Sequence, residues 1–118
     1  MIDKYRITLV TIVLSMLSFN ASSAAYTCTG QIDAINQGYD GSVSVLSVAI
    51  YGDGQGRKVC SLNELWKGVT VDTCKGWLSK LLSFEARNSD ITIQYNGAVT
   101  SCATQPAWES AEAPWSMW

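Results

Sequence analysis

The chain has 118 residues, with ten acidic side chains, eight basic ones and no histidine, which gives a formal net charge of −2. This charge excludes the strongly basic footprint of a nucleic-acid-binding protein. Without histidine, the Ser-His-Asp and Cys-His catalytic arrangements are excluded from this chain as well.

The first 25 residues have the order of a secretory signal peptide. A short start with Lys4 and Arg6 precedes an apolar run over residues 7–19, and small residues follow up to Ala25. The run is shorter than the roughly twenty residues that a membrane-spanning helix needs. We therefore expect cleavage after Ala24 or Ala25, export to the periplasm or the extracellular space, and no membrane span in the mature protein.

Four cysteines follow the signal segment and are expected to form two disulfides. An exported chain meets an oxidising environment in which cysteines pair, and a small domain gains stability from cross-links. Their spacing contains no C-x-x-C pair, which argues against a zinc site. We expect neither a metal nor another cofactor. The four residues are Cys28, Cys60, Cys74 and Cys102.

Residues 26–104 are expected to form one domain that begins with three strands. Alternating or apolar runs predict strands over residues 27–35, 42–51 and 57–60, with a bulge near Leu46 where the alternation changes phase. The segments NQGYDG and GDGQG between these strands are typical of turns. The three strands would form an antiparallel meander.

A helix is predicted after the third strand. Asp72 is its expected N-cap, and the stop signal lies at residues 88–90. Its apolar stripe, which predicts core packing, consists of residues three or four positions apart: Cys74, Trp77, Leu78, Leu81 and Leu82. A fourth strand over residues 91–95, a hairpin turn at Asn96-Gly97 and a fifth strand over residues 98–103 complete the domain.

Three strands, a helix and two strands follow the order of an OB-type barrel. We therefore predict a mainly β, α+β protein: a five-stranded antiparallel Greek-key barrel with one helix between strands 3 and 4. In such a barrel strand 1 lies antiparallel to strand 4, which brings Cys28 close to Cys102. Cys60 then ends strand 3 beside Cys74 in the first helical turn. Of the three pairings that four cysteines allow, we expect Cys28–Cys102 and Cys60–Cys74.

A stretch in the middle of the chain resembles the binding subunits of subtilase-cytotoxin-type and typhoid-toxin-type bacterial toxins. The similar residues are 59–62 (VCSL), Trp66, the helix that follows and the alternating run at residues 91–95, about a third of the chain. Those subunits are exported OB-fold domains that form five-membered rings and bind host sialylated glycans. The resemblance implies a homo-oligomeric glycan-binding protein. Cys74 and the C-terminal tail depart from the family pattern, and no binding residue is carried over.

The C-terminal tail, residues 105–118, carries Trp108, Trp115 and Trp118. One interpretation is that the tail packs on the domain and covers an edge or open end of the sheet, because three indoles are a large apolar area for a terminus. The other is that these tryptophans bind a sugar or a protein partner, since tryptophan is enriched in binding hot spots. They are the candidate binding residues.

The predicted function is non-enzymatic binding, in one of two forms. The first is a glycan- or receptor-binding subunit of toxin type. The alternative is a periplasmic inhibitor or immunity-type protein that blocks an enzyme or toxin through acidic loops at residues 33–40 and at Asp53. A hydrolase that uses paired carboxylates is less expected, because Glu64, Glu85, Glu109 and Glu112 are predicted to be solvated. Asp53 alone supplies too few oxygens for calcium.

Overall fold

A computed structural model describes residues 25–97 and 101–118. The predicted signal segment therefore lies almost entirely outside the described residues, and so do residues 98–100 of the predicted fifth strand. The described elements, in chain order, are β1 (Ala25–Gly30), β2 (Ala34–Gln37), β3 (Ser42–Leu46), α1 (Val48–Tyr51), β4 (Gly56–Ser61), α2 (Val71–Arg87), β5 (Ile91–Asn96) and β6 (Pro114–Met117).

The described strands form two antiparallel sheets, in the orders β1-β5-β6 and β2-β3-β4. The prediction of a five-stranded OB-like barrel is therefore wrong: the protein is a small α+β fold with six described strands, and these do not close into a barrel. The antiparallel contact expected between the first strand and the strand after the long helix is present, as the β1–β5 pair.

The predicted first strand is interrupted, which explains why the sheets are separate. Residues 31–33 hydrogen-bond to the start of α1 instead of continuing β1 into β2. The Ser47 hydroxyl donates to the Gln31 carbonyl at 2.5 Å, and the Val48 amide donates to the Asp33 carboxylate at 2.8 Å. Strand β1 therefore pairs with β5, and β2 pairs with β3.

The predicted second strand also splits, into β3 and the single helical turn α1. Ser47 is the N-cap of α1 and accepts a hydrogen bond from the Ile50 amide at 3.0 Å. Gly52 ends the turn with φ of 83°, a left-handed conformation that glycine adopts without steric cost. The register shift in this region lies between Val43 and Ser44, not near Leu46.

The last strand of the first sheet comes from the tail. Ser101 to Ala103, the described part of the predicted fifth strand, lie in a turn region. Strand β6 instead pairs with β5, with Met117 opposite Ile93. The tail continues as a ladder past β6, because Trp118 and Thr92 exchange two backbone hydrogen bonds of 2.9 and 2.7 Å.

The long helix α2 begins two residues earlier than predicted. Thr70, not Asp72, is the N-cap, and its hydroxyl accepts a hydrogen bond from the Thr73 amide at 3.1 Å. Asp72 lies in the first turn, where its negative charge interacts favourably with the positive N-terminal end of the helix dipole. Asn88 ends the helix with φ of 51°. On the predicted apolar stripe, Cys74 and Leu81 are fully buried.

The hydrophobic core unites both sheets and α2 in one cluster. Alternate residues of β5 point into it, as the period-2 pattern of a half-buried strand requires. Strand β3 is buried more completely and contributes Val43 and Val45. Side chains with no measurable exposure, from both sheets and the helix, are Val43, Val45, Val59, Leu81, Ile91, Ile93 and Tyr95.

Two disulfides cross-link this core, Cys28–Cys102 and Cys60–Cys74, the same two pairs that the sequence analysis predicts. The first joins β1 to the turn that precedes the tail, with 5.8 Å between the Cα atoms. The second joins β4 to the first turns of α2, with a Cα separation of 5.4 Å. The helix is thereby fixed to the second sheet, and the origin of the tail to the first.

Removing either disulfide should destabilise the fold, and the loss should rise slowly, with the logarithm of the length of the loop that the bond closes. The sequence separations are 74 and 14 residues, so chain-entropy arguments give losses of about 4 kcal/mol for C28A/C102A and about 3 kcal/mol for C60A/C74A. Urea unfolding monitored by circular dichroism measures both losses. Digestion without reductant, followed by mass spectrometry, would contradict the assignment if it recovered a peptide that links Cys28 to Cys60.

Candidate functional site

The tail is held in place partly by basic side chains that donate to its backbone carbonyls. Lys67 Nζ donates to the carbonyls of Glu109 and Ala111, at 3.2 and 2.5 Å. Lys80 Nζ, on α2, donates to the Met117 carbonyl at 3.0 Å. These charge-assisted bonds hold the tail in position in addition to the backbone hydrogen bonds between β5 and β6.

Trp108 connects the tail to the second sheet. Its amide donates to the Gly56 carbonyl at 2.6 Å, and its carbonyl accepts from the Lys58 amide at 3.2 Å, a parallel bridge beside β4. Its indole covers Gly56, where an added Cβ would lie 2.5 Å from the ring. Although 43% exposed, Trp108 therefore has a structural role.

A cleft of about 620 Å³ lies between the start of α2 and the tail. This volume is typical of sites that bind small molecules. Trp115, 66% exposed, forms part of its lining together with Trp77 from α2. Lining residues with hydrogen-bonding or charged side chains come from four different segments: Lys67, Thr73, Asn96 and Glu112.

Glu112 occupies a fixed position in this cleft. The Tyr26 hydroxyl donates to Glu112 Oε1 at 2.9 Å. Gly97 leaves room for the same carboxylate, because a Cβ at Gly97 would overlap it. Tyr26 also accepts a hydrogen bond from Gln105 Nε2 at 3.1 Å and stacks on Tyr95 with 5.3 Å between the ring centroids.

The tyrosines behind Glu112 belong to a buried polar cluster. The hydroxyls of Tyr51 and Tyr95 lie 2.6 Å apart, and both side chains are almost completely buried. Burial raises the pKa of Tyr51 to about 12 and raises the pKa of Tyr95 well above its usual value. Burial, followed by the hydrogen bond to Glu112, also raises the pKa of Tyr26. All three phenols are therefore neutral at physiological pH.

Arg57 anchors this cluster to the GDGQG loop. The side chain is buried, and its guanidinium forms two bonds to the Asp53 carboxylate, of 2.7 and 3.0 Å. It also lies 4.9 Å from the Tyr51 ring centroid and donates to the Gln105 carbonyl at 3.2 Å. The guanidinium lowers the pKa of Asp53. The loop therefore uses its carboxylate to neutralise a buried arginine.

The other loop carboxylates singled out in the sequence also have bonds within the chain. Asp33 accepts from the Val48 amide and Asp40 from the Ser42 amide, which lowers the pKa of Asp40. Within residues 25–97 and 101–118 there is no group of three or more His, Cys, Asp or Glu side chains that could hold a metal ion. In the same ranges no helix is long and apolar enough to cross a membrane.

Of the three tryptophans predicted to bind a ligand, Trp115 lines the cleft. Trp108 lies against Gly56 instead, and Trp118 is 54% exposed beyond β6. No sequence pattern assigns Thr73 or Asn96 to a site, and the apolar stripe of α2 predicts core packing for Trp77. Trp77 belongs to the apolar stripe of α2, and this periodicity alone cannot reveal that the side chain also borders a cleft.

Comparison of the chain with protein-family models, with curated proteins and with solved structures found no match. The two disulfides and the absence of a membrane-spanning helix among the described residues are compatible with an exported protein.

Gly56→Ala should destabilise the protein, because the new methyl group would overlap the Trp108 ring. We expect a loss of about 1–3 kcal/mol, the usual cost of overpacking, and a red shift in tryptophan fluorescence as the indole leaves β4. Gly54→Ala is the matched control, since an added Cβ there meets nothing within 4 Å. Equal stability of the two variants in urea would contradict this role of Trp108.

The buried tyrosines predict a loss of stability in alkali. Above pH 10 an unfolded tyrosine releases a proton that the folded state keeps, so the free energy of unfolding should fall as pH rises towards 12. In the double variant Tyr51→Phe/Tyr95→Phe, the free energy of unfolding should fall less steeply between pH 10 and 12. Its stability at pH 7 should change little, because both hydrogen-bonding partners are removed together.

The control for the alkaline measurement is Tyr39→Phe, because the Tyr39 side chain is fully exposed. Urea unfolding at each pH gives the free energy of unfolding as a function of pH for the wild type, the double variant and the control. Parallel curves for the wild type and the double variant over this range would show that these tyrosines do not determine the alkaline stability.

Proposed function

We propose that the protein is an exported, non-enzymatic binding module that holds a glycan in the cleft beside Trp115. The observation that carries this proposal is the combination of an exposed indole with polar side chains around one cavity of about 620 Å³. The resemblance to toxin binding subunits points to the same class of ligand. Assembly into a homo-oligomer is part of the proposal, again from that resemblance.

The chemistry of the cleft suits a saccharide. A sugar ring has an apolar face of C–H groups and an edge of hydroxyls. The broad indole of Trp115 offers a flat apolar surface with a polar N–H at its border. The Thr73 hydroxyl accepts a hydrogen bond from the Thr70 hydroxyl at 2.9 Å and keeps its own O–H as a donor for a sugar hydroxyl. Asn96 adds a side-chain amide to the lining.

The alternative, a protein inhibitor that acts through its acidic loops, has weaker support. The Asp53 carboxylate is neutralised by buried Arg57, Asp33 accepts a hydrogen bond from the Val48 amide, and Asp40 accepts one from the Ser42 amide. Carboxylates that are already engaged gain less from contact with a basic partner. The cleft beside Trp115 is therefore the better candidate for the binding surface.

Trp115→Ala should reduce glycan binding at least tenfold, because an exposed aromatic platform typically supplies much of the binding energy. The stability of this variant should change by less than about 0.5 kcal/mol, since the side chain is largely exposed. Binding is screened on a glycan array and measured by titration calorimetry with the glycans that bind.

Trp118→Ala is the matched control for this experiment. It removes an indole of similar exposure from the same tail, but one that does not line the cleft. Its glycan affinity should equal that of the wild type. Equal losses in both variants would argue against the cleft, and a wild-type array without a single bound glycan would refute the proposed function.

A further inference from the structure

The Asn96-Gly97 pair does not form the tight turn that its sequence predicts. A two-residue hairpin turn of type I′ needs a positive φ at both central residues, and neither Asn96 nor Gly97 has one. Strand β5 ends at Asn96, and Gly97 lies just outside its ladder. Turn geometry therefore does not explain why an asparagine is followed by a glycine at this position.

The local structure favours attack of the Gly97 amide nitrogen on the Asn96 side chain. Asn96 is exposed, so water reaches this position. Gly97 lacks the Cβ that would hinder close approach of its backbone to the neighbouring side chain. Within the part of the chain that the structure describes, Gly97 donates no backbone hydrogen bond, so the ladder does not hold its amide.

We propose that Asn96 is a site of spontaneous deamidation, a modification that changes the wall of the cleft. The Gly97 nitrogen loses its proton and bonds to Asn96 Cγ, the Cγ–Nδ2 bond breaks, and ammonia leaves with that proton. Water then opens the resulting succinimide ring at one of its two carbonyl carbons. Opening at Cγ gives aspartate, and opening at the main-chain carbonyl gives isoaspartate. The only co-reactant is water, and no electrons are transferred.

Both products alter the cleft, because Asn96 is part of its lining. The side-chain amide carries two N–H donors, whereas a carboxylate only accepts hydrogen bonds. Isoaspartate also inserts a methylene into the main chain beside Gly97, where space is short: a Cβ at Gly97 would overlap the Glu112 carboxylate. We therefore expect the modified protein to bind glycans more weakly, a consequence that rests on the proposed function.

Ageing of the folded, disulfide-bonded protein at mildly alkaline pH tests the modification. Digestion and tandem mass spectrometry locate each converted asparagine. We expect conversion at Asn96 to be about tenfold faster than at Asn36, because Gln37 has the Cβ that Gly97 lacks. Asn36 is the matched control within the same molecule, since it is also exposed and also lies near the end of a strand.

Asn96→Gln should abolish the conversion at this position, because the longer side chain would have to close a less favourable, larger ring. Fully converted wild type should bind glycans about three- to tenfold more weakly than fresh wild type, the usual effect of one lost hydrogen bond. Asn96→Gln that has been aged in the same way should bind as tightly as its own fresh sample.

The outcomes separate the modification from the function of the cleft. Conversion at Asn96 that is no faster than at Asn36 would overturn the proposal. Rapid conversion with unchanged glycan affinity would overturn its effect on the cleft. A fresh wild type that binds no glycan would refute the proposed function, and mass spectrometry would still decide whether Asn96 deamidates.

Discussion

The structure depends on the docking of one segment, the tail, against both sheets. Strand β6 pairs with β5 in the first sheet, and Trp108 bridges to β4 in the second. The core side chains of the two sheets meet in one cluster, but the described strand ladders do not join the sheets to each other. Backbone bonds to the tail therefore supply a polar connection that complements the apolar core. The cleft exists because this segment passes beside the start of α2.

The fold could be predicted from the sequence where local signals and covalent constraints agree. Helix α2 follows from its apolar stripe, and β5 follows from strict alternation between residues 91 and 95. The Cys28–Cys102 pair follows from the antiparallel contact of β1 with β5, and that contact is correct even though the barrel is not. The Cys60–Cys74 pair follows from the short chain distance between the end of the third strand and the first turn of the helix. Correct local contacts were thus sufficient for both disulfides without the complete topology.

The errors come from side chains that compete with the strand ladder. Ser47 lies within an alternating run, which favours a strand, but its hydroxyl caps α1 and bonds to the Gln31 carbonyl. In the tail, no strand was predicted, yet Pro114 begins the edge strand β6, a position where a missing N–H is tolerated. The cleft could be predicted only in part. Trp115 was a candidate because the tail is rich in tryptophan. Asn96 and Thr73 line the same cleft only because the folded chain brings distant segments together, which a local sequence pattern cannot reveal.

The Cys28–Cys102 bond has a consequence for the dynamics of the tail. It fixes the chain to β1 just before the tail, and β1 is the neighbour of β5, on which β6 docks. A tail that opens remains tethered next to its own docking site, at an effective concentration that is in the millimolar range for short linkers. Reclosure within one molecule then outcompetes exchange of the strand with a second copy. The disulfide thus protects an edge-strand protein against domain swapping.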